Sequence, residues 1–439
     1  MALADAKAVP PHQRSEFEQR LALDQPEFVR ALRRAAWQRF ETLGVPTRRH
    51  EMWRFTDIAP VTGQAFAIKG DSVPVDANRL PPPPVEDAWR LVLVNGQFHP
   101  GLSHLDGLPE GVVIRPLGEA FKSHPSLVEA YLDQVPGLET QPFAALNGAL
   151  FGDGAFVFVP RGRALERPLH LVHWTTGDQV ASYPRHLMVV EETAEACVVE
   201  EHRGEGHYFT CPLTEIHVAQ GGRATFYKIQ QEAAAGHHLG SVATRNARDS
   251  HLQLHLFNFG GAINRTDATA LLAGEGSHSG FNGLTLVRER ELGDYHLKVV
   301  HAVPHCTSEQ TFKNVLDDRG RTVFDGMINV EPHAQKTDAI QDSRNLLLSK
   351  LAQAHANPRL EILADDVRCT HGSSTGFLDA EGLFYLRTRG IPKAKAQAML
   401  VYAFANEALE AVDLSPLKTR LKGLLAERLF PDGMEVMDS

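Results

Sequence analysis

The feature that most constrains this chain is a run of short apolar-alternating segments, separated by turn signals, that begins after Gly152. They are Phe156 to Val159, Leu169 to His173, His186 to Val190, Ala196 to Glu200, Glu215 to Val218, Ala224 to Ile229 and His251 to Phe259. Thr269 to Leu272, Phe281 to Val287, Asp294 to Val300, Thr322 to Val330 and Asn345 to Leu348 follow. Alternation is strict from His251, so Leu252, Leu254 and Leu256 face a core while His251, Gln253 and His255 face away. About a dozen short strands with no long helix among them exclude an alternating βαβ fold. A sandwich, a barrel or a stacked β-solenoid remains. No fixed-period motif settles the choice, and the residues alone slightly favour a sandwich.

The two ends read differently. Pro26 to Leu43 has Phe28, Leu32, Ala35, Ala36, Phe40 and Leu43 at helical spacing, with Pro26 suited to the first turn and Gly44 to the stop. Arg30, Arg33, Arg34 and Arg39 on that helix could meet a partner but read first as a solvated face. Pro81 to Pro84 form a stiff extended segment. Leu91 to Val94 with Asn95-Gly96 reads as strand and turn, and Pro125 to Gln134 as a short helix. Beyond Asp379, an N-cap, three helices follow, the second from Pro392 to about Leu409 and the third opened by Ser415-Pro416. The expected domains are a cap over 1–150, a β core over 151–356, and a last strand with a helical domain over 357–439.

Composition narrows the partners. With 439 residues, 43% hydrophobic and 22% charged, the chain can bury a sizeable core. A net charge of -10 and the lack of a basic stripe argue against nucleic acid. No apolar run approaches a membrane span, and no secretory h-region follows the opening Met-Ala-Leu-Ala-Asp-Ala-Lys. Cys197, Cys211, Cys306 and Cys369 are widely spaced, which indicates neither a disulfide framework nor a zinc ribbon and fits a reducing cytoplasm.

Chemistry concentrates near the end. Leu360, Ile362 and Ala364 alternate with polar residues, and the extended run reads on through Val367 to Cys369 and His371, which then face the same way until the period changes at Gly372. A thiolate and an imidazole suit iron, iron-sulfur clusters, copper or zinc, but two ligands are only half a site. The plainer reading is a buried thiol beside a hydrogen-bonded histidine. If the pair is a site, its missing ligands come from another chain or from sulfide. His305-Cys306 is weaker, because neighbours on a strand face opposite ways. Despite 22 histidines, no closed four-ligand set is visible. Gly372-Ser-Ser-Thr-Gly376 satisfies G-x-S-x-G with Ser374 central, but a nucleophile elbow needs a helix directly after its strand. No phosphate-binding loop occurs, so the chain binds no nucleotide of its own.

These residues carry a resemblance. Leu360 to Gly372, Gly376 to Asp379 and Leu383 to Ile391 resemble the SufB/SufD family of iron-sulfur cluster assembly scaffolds. Pro304 to Ser308, Gly326 to Val330, Lys336-Thr-Asp338, Asn345 to Leu348 and Glu51 to Thr56 support it. The SufB branch carries a cysteine-containing segment near Thr337 to Leu348 and a Glu-rich one in place of Cys369 to Gly372; both are missing, so the SufD branch is the closer. The resemblance implies a right-handed parallel β-helix core between helical ends, overriding the sandwich. It implies a non-catalytic scaffold that pairs end to end with SufB and engages the ATPase SufC through its C-terminal helices, or forms a homodimer when alone. A transient cluster would lie at the SufB interface with His371 as an iron ligand and Cys369 beside it. Reduced flavin, associated with assembled complexes of the family, leaves no mark readable here. Two other classes stay open, a serine hydrolase acting through Ser374 and a polysaccharide-acting β-helix enzyme.

Overall fold

The computed structural model describes residues 7, 9–68 and 75–429; the opening residues Met1 to Ala6 lie outside them. From Ala155 onward each strand pairs in parallel with the strand two places on. Ala155–Val159 begins one sheet, which ends at Gln353–Ile362, and Leu169–Ser182 leads into a second, which ends at Arg368–Phe377. The result is a parallel β-solenoid of about eight turns with helices at both ends. Strict alternation produces it: Leu252, Leu254 and Leu256 fill the lumen beside Phe226, Phe281, Tyr295 and Phe312. His237 opposes Ile263, whereas Arg321 opposes Gln353, so rungs run from 26 to 32 residues and no fixed period marks the sequence.

One corner of six successive rungs is held by a left-handed residue. Thr193, Gly221, Asp249, Gly276, His305 and Lys336 all have positive φ and occur once per rung. His305 is therefore a turn residue, and the expectation that it shares a strand with Cys306 is corrected: Cys306 is buried just before Thr307–Leu316. The lumen is not uniformly apolar. His173, His202, Gln230, Asn258, Thr285, Asn314, Asn345 and Thr375 occupy one register position in successive rungs. Hydrogen bonds join several of them, as where Asn314 Nδ2 donates to Asn345 Oδ1 at 2.8 Å.

The N-terminal region clamps the first sheet from outside. In the segment Glu51 to Thr56, Trp53 lies 3.7 Å beneath the Arg265 guanidinium, whose Nη1 donates to Met52 O at 2.7 Å and to Asp294 at 2.9 Å. The helix Glu27–Leu43 forms as expected between Pro26 and Gly44. Its arginines are not all solvated, however. Arg33 is buried, donates to Ala149 O at 3.0 Å and stacks 3.9 Å from the Phe151 ring; burial pushes its guanidinium down to about 9. A planar cation with a carbonyl and a ring to receive it can be buried where a hydrated ammonium could not.

At the other end Asp379 caps Ala380–Thr388 through the N–H groups of Glu381 and Gly382. Lys393–Leu409 and Ser415–Leu429 then cover the outer face of the second sheet. Leu417, Leu421 and Leu425 pack there against Tyr227, Phe257 and Leu284, which is why His255 faces outward yet is buried. No helix among the described residues is long and apolar enough to cross a membrane.

Candidate functional site

The expected single run from Leu360 to His371 is two strands. Gln353–Ile362 closes the first sheet, the chain turns at buried Ala364, and Arg368–Phe377 closes the second. Lys336, at the left-handed corner below, donates its backbone N–H to Asp366 O and pins that turn. The last strand runs through Gly372 to Phe377, so the predicted change of period comes five residues late.

On Arg368–Phe377, Cys369 stands over Ala339 and His371 over Gln341, two register positions apart and both on the lumen-facing side. Both lower residues are buried. Cys369 is half-buried against Ile328, Val330, Leu360 and Val367; burial, and then the Asp338 charge, push its thiol up, so it carries its proton at neutral pH. His371 is exposed because no further rung covers it. Among the described residues no third His, Cys, Asp or Glu joins the pair at metal-ligating distance. Among the described residues no strand pairs with the outer edge of Arg368–Phe377, which leaves backbone donors and acceptors free.

The surroundings are apolar and uncovered. Phe377, Ile362, Leu363, Ile340 and Leu351 are exposed at or beside the last rung, and Phe384 is 68% exposed on the next helix. That helix, Ala380–Thr388, buries none of its residues. Ser374 lies mid-strand with its backbone carbonyl accepting from Asn345 Nδ2 at 3.1 Å, and the helix starts only at Ala380. A nucleophile elbow is absent here, which removes the basis for the hydrolase reading.

Sequence reasoning missed a second concentration of chemistry, deep in the early rungs. Glu200 Oε1 lies 3.3 Å from His173 Nε2, 3.6 Å from His186 Nε2 and 3.2 Å from His202 Nε2. His202, Glu232 and His238 form an adjoining group. Such spacings suit a metal, but the protons do not. The Ala155 N–H donates to His186 Nδ1 at 2.9 Å, which places the neutral ring's proton on Nε2, toward Glu200. Lys228 Nζ sits 2.8 Å from both Glu200 Oε2 and His202 Nε2, so the cation of this group is already an ammonium. Burial alone would raise the Glu200 carboxyl, yet Lys228 and His202 hold it well below the usual range. In the adjoining group Tyr208 donates to Glu232 Oε2 at 2.6 Å and His238 Nδ1 lies 2.9 Å from Oε1. Both groups surround buried charge, with Lys228 bonded to Glu200, and Tyr208 and His238 to Glu232, while Glu200 Oε1 and the His173 ring nitrogens have no hydrogen-bond partner. Only knowledge of the rung length, which places His173 over His202, would have exposed them in the sequence.

The comparisons with known proteins bear on the last rung. Residues 173–404 match the SufBD core domain of SUF-system FeS cluster assembly, and residues 14–171 match the SufBD protein N-terminal region. The chain is 33% identical to the iron-sulfur cluster assembly protein SufD of Escherichia coli, over 88% of this chain and 90% of that one. It is 30% identical to an iron-sulfur cluster assembly SufBD family protein of Synechocystis, over 87% of each. SufD of Bacillus subtilis is 26% identical over 73% of this chain and 74% of its own.

Proposed function

Because this chain belongs to the SufBD family of iron-sulfur cluster assembly proteins, we propose that it is a non-catalytic scaffold subunit that holds part of a nascent cluster at its open solenoid end. The observation that carries this reading is the last rung itself: Cys369 and His371 stand on Arg368–Phe377, where every residue but Cys369 is exposed, beside an unpaired edge and an uncovered apolar rim. A second β-solenoid, that of a SufB homologue, would pair with this edge, bury the rim and supply the missing ligands.

The cluster is cargo, assembled and released. His371 offers iron a neutral nitrogen lone pair, which needs no counter-charge. Cys369 must first lose its proton, and iron supplies the driving force by replacing it on sulfur. The half-buried thiol is thus the slower and more conditional partner. The helix Ala380–Thr388 follows the last strand directly, so a partner bound to the C-terminal helices would strain the ligand-bearing rung when it moves. An ATPase of the SufC kind, docked there, would couple nucleotide hydrolysis to opening of the interface. The site of action is the cytoplasm.

Anaerobic reconstitution with SufB and SufC homologues tests the ligand. His371→Ala should lose most of the bound iron and sulfide that co-purifies with the wild-type complex, while still associating with both partners. Wild-type loading in that variant would sink the role assigned to His371.

A further inference from the structure

The lumen column that ends at His371 changes character as it approaches the open end. One residue per rung, it runs Leu254, Phe281, Gln310, Gln341, His371. Gln310 and Gln341 are 0% and 1% exposed, in a lumen whose earlier occupants of this column are apolar. Gln341 Nε2 donates to Gln310 Oε1 at 2.7 Å, so the amide pair is oriented with its donors toward the interior. Its last acceptor, Gln341 Oε1, is buried and has no partner. Across the lumen stands Gly326, where a Cβ would fall 2.0 Å from Gln341 Nε2. The glycine makes room for the amide, and its closeness keeps the amide nitrogen from swinging.

A buried carbonyl oxygen without a donor is costly, and native structures seldom keep one without a use. Neighbouring strands are about 4.8 Å apart, within reach of an amide and a ring that stack one above the other. We propose that Gln341 is a positioning residue for His371: its Oε1 accepts the ring N–H of His371, fixing the proton on one nitrogen and leaving the other nitrogen's lone pair directed out of the open end. A free imidazole divides its proton between two nitrogens, so each is blocked part of the time. Carbonyl or carboxylate acceptors behind histidine ligands set the tautomer in the same way at metal centres. The purpose of the bond rests on the reading of His371 as a cluster ligand, whereas the test of the bond itself does not.

The test reads the tautomer in the isolated chain. Protein labelled with 15N-histidine is examined by long-range proton-nitrogen correlation at mildly alkaline pH, and the His371 signals are identified by their loss in His371→Ala. Wild type should show roughly a tenfold excess of one tautomer, the bias that one net hydrogen bond can supply. Gln341→Met, which keeps the volume and removes the acceptor, should bring the two forms toward parity. Gln341→Glu, which restores an acceptor oxygen, should recover the single form. Comparable populations in wild type, or an unchanged spectrum in Gln341→Met with a wild-type thermal midpoint, would overturn the proposal. The iron-loading assay on His371→Ala is separate: normal loading there removes the ligand role and leaves the tautomer result standing.

Discussion

The first and last rungs place histidines on the same lumen-facing side of the same repeating unit, and put them to opposite uses. Arg185–Val190 is buried at every residue, whereas Arg368–Phe377 has Cys369 as its one residue that is even half-buried. In the early rungs every imidazole near Glu200 is desolvated, and the Lys228 ammonium is already in place as counter-ion. At the last rung the ligands face solvent, and Gln341 Oε1 beneath His371 is left without a partner. The difference lies in covering. A rung with neighbours on both sides converts polar groups into structure, and a rung with one neighbour leaves them available for chemistry.

Breaking the early network should give the largest effect. Lys228→Met removes a 1% exposed ammonium and strands the fully buried Glu200 carboxylate among imidazoles. Loss of one partner of a buried ion pair costs about 3–5 kcal/mol, and denaturant unfolding at neutral pH should show a loss of that size. Adding Glu200→Gln removes the stranded charge, so the double variant should regain much of the loss. An additive double variant would mean that the two groups do not compensate each other.

Acid should act next, through the buried imidazoles of early and later rungs alike. Burial pushes His186 down to about 3, and His255 and His301 down to about 4, against an ordinary value near 6.5. The unfolded chain therefore takes up protons that the folded chain refuses. Stability from these groups is full above about pH 6.5 and falls as the pH drops toward 4 and then 3, by about 1.4 kcal/mol per pH unit for each histidine. Thermal midpoints measured from pH 7.5 to 4.5 should decline steeply below 6.5. A flat profile would show that the interior imidazoles admit protons without opening.

Much of this contrast was hidden from the sequence, for physical reasons. Alternation revealed the strands and the inward leucines, and Asp379, Pro392 and Ser415-Pro416 marked the helix starts, because those signals are local. Stacking is not local. With rungs varying from 26 to 32 residues, nothing announces that His173 lies over His202, or Gln341 under His371. The left-handed corners at His305 and Lys336 use residues that do not advertise a turn, and the bend between Ile362 and Arg368 carries no glycine or proline to mark it. Arg33 looked solvated because a helical wheel does not show the Phe151 ring and Ala149 carbonyl waiting for it. The Cys369 and His371 pair was legible, being two residues apart on one strand; its place at an uncovered end was not.

The smallest expected effect sharpens the comparison most. His371 is exposed, and its ring packs under no later rung, so His371→Ala deletes no buried surface and strands no charge. It removes at most the donor to Gln341, whose oxygen water can reach once the ring is gone. Surface substitutions of this kind change stability by about 0.5 kcal/mol or less. The corresponding early-rung change, His202→Ala, empties a fully covered position between Lys228 and Glu200 and should cost several times more. Parallel denaturant curves for the two variants put a number on what covering contributes. If His371→Ala proved as damaging to the isolated chain as His202→Ala, the last rung would be structural after all, and loss of cluster loading in that variant would report misfolding instead of a missing ligand.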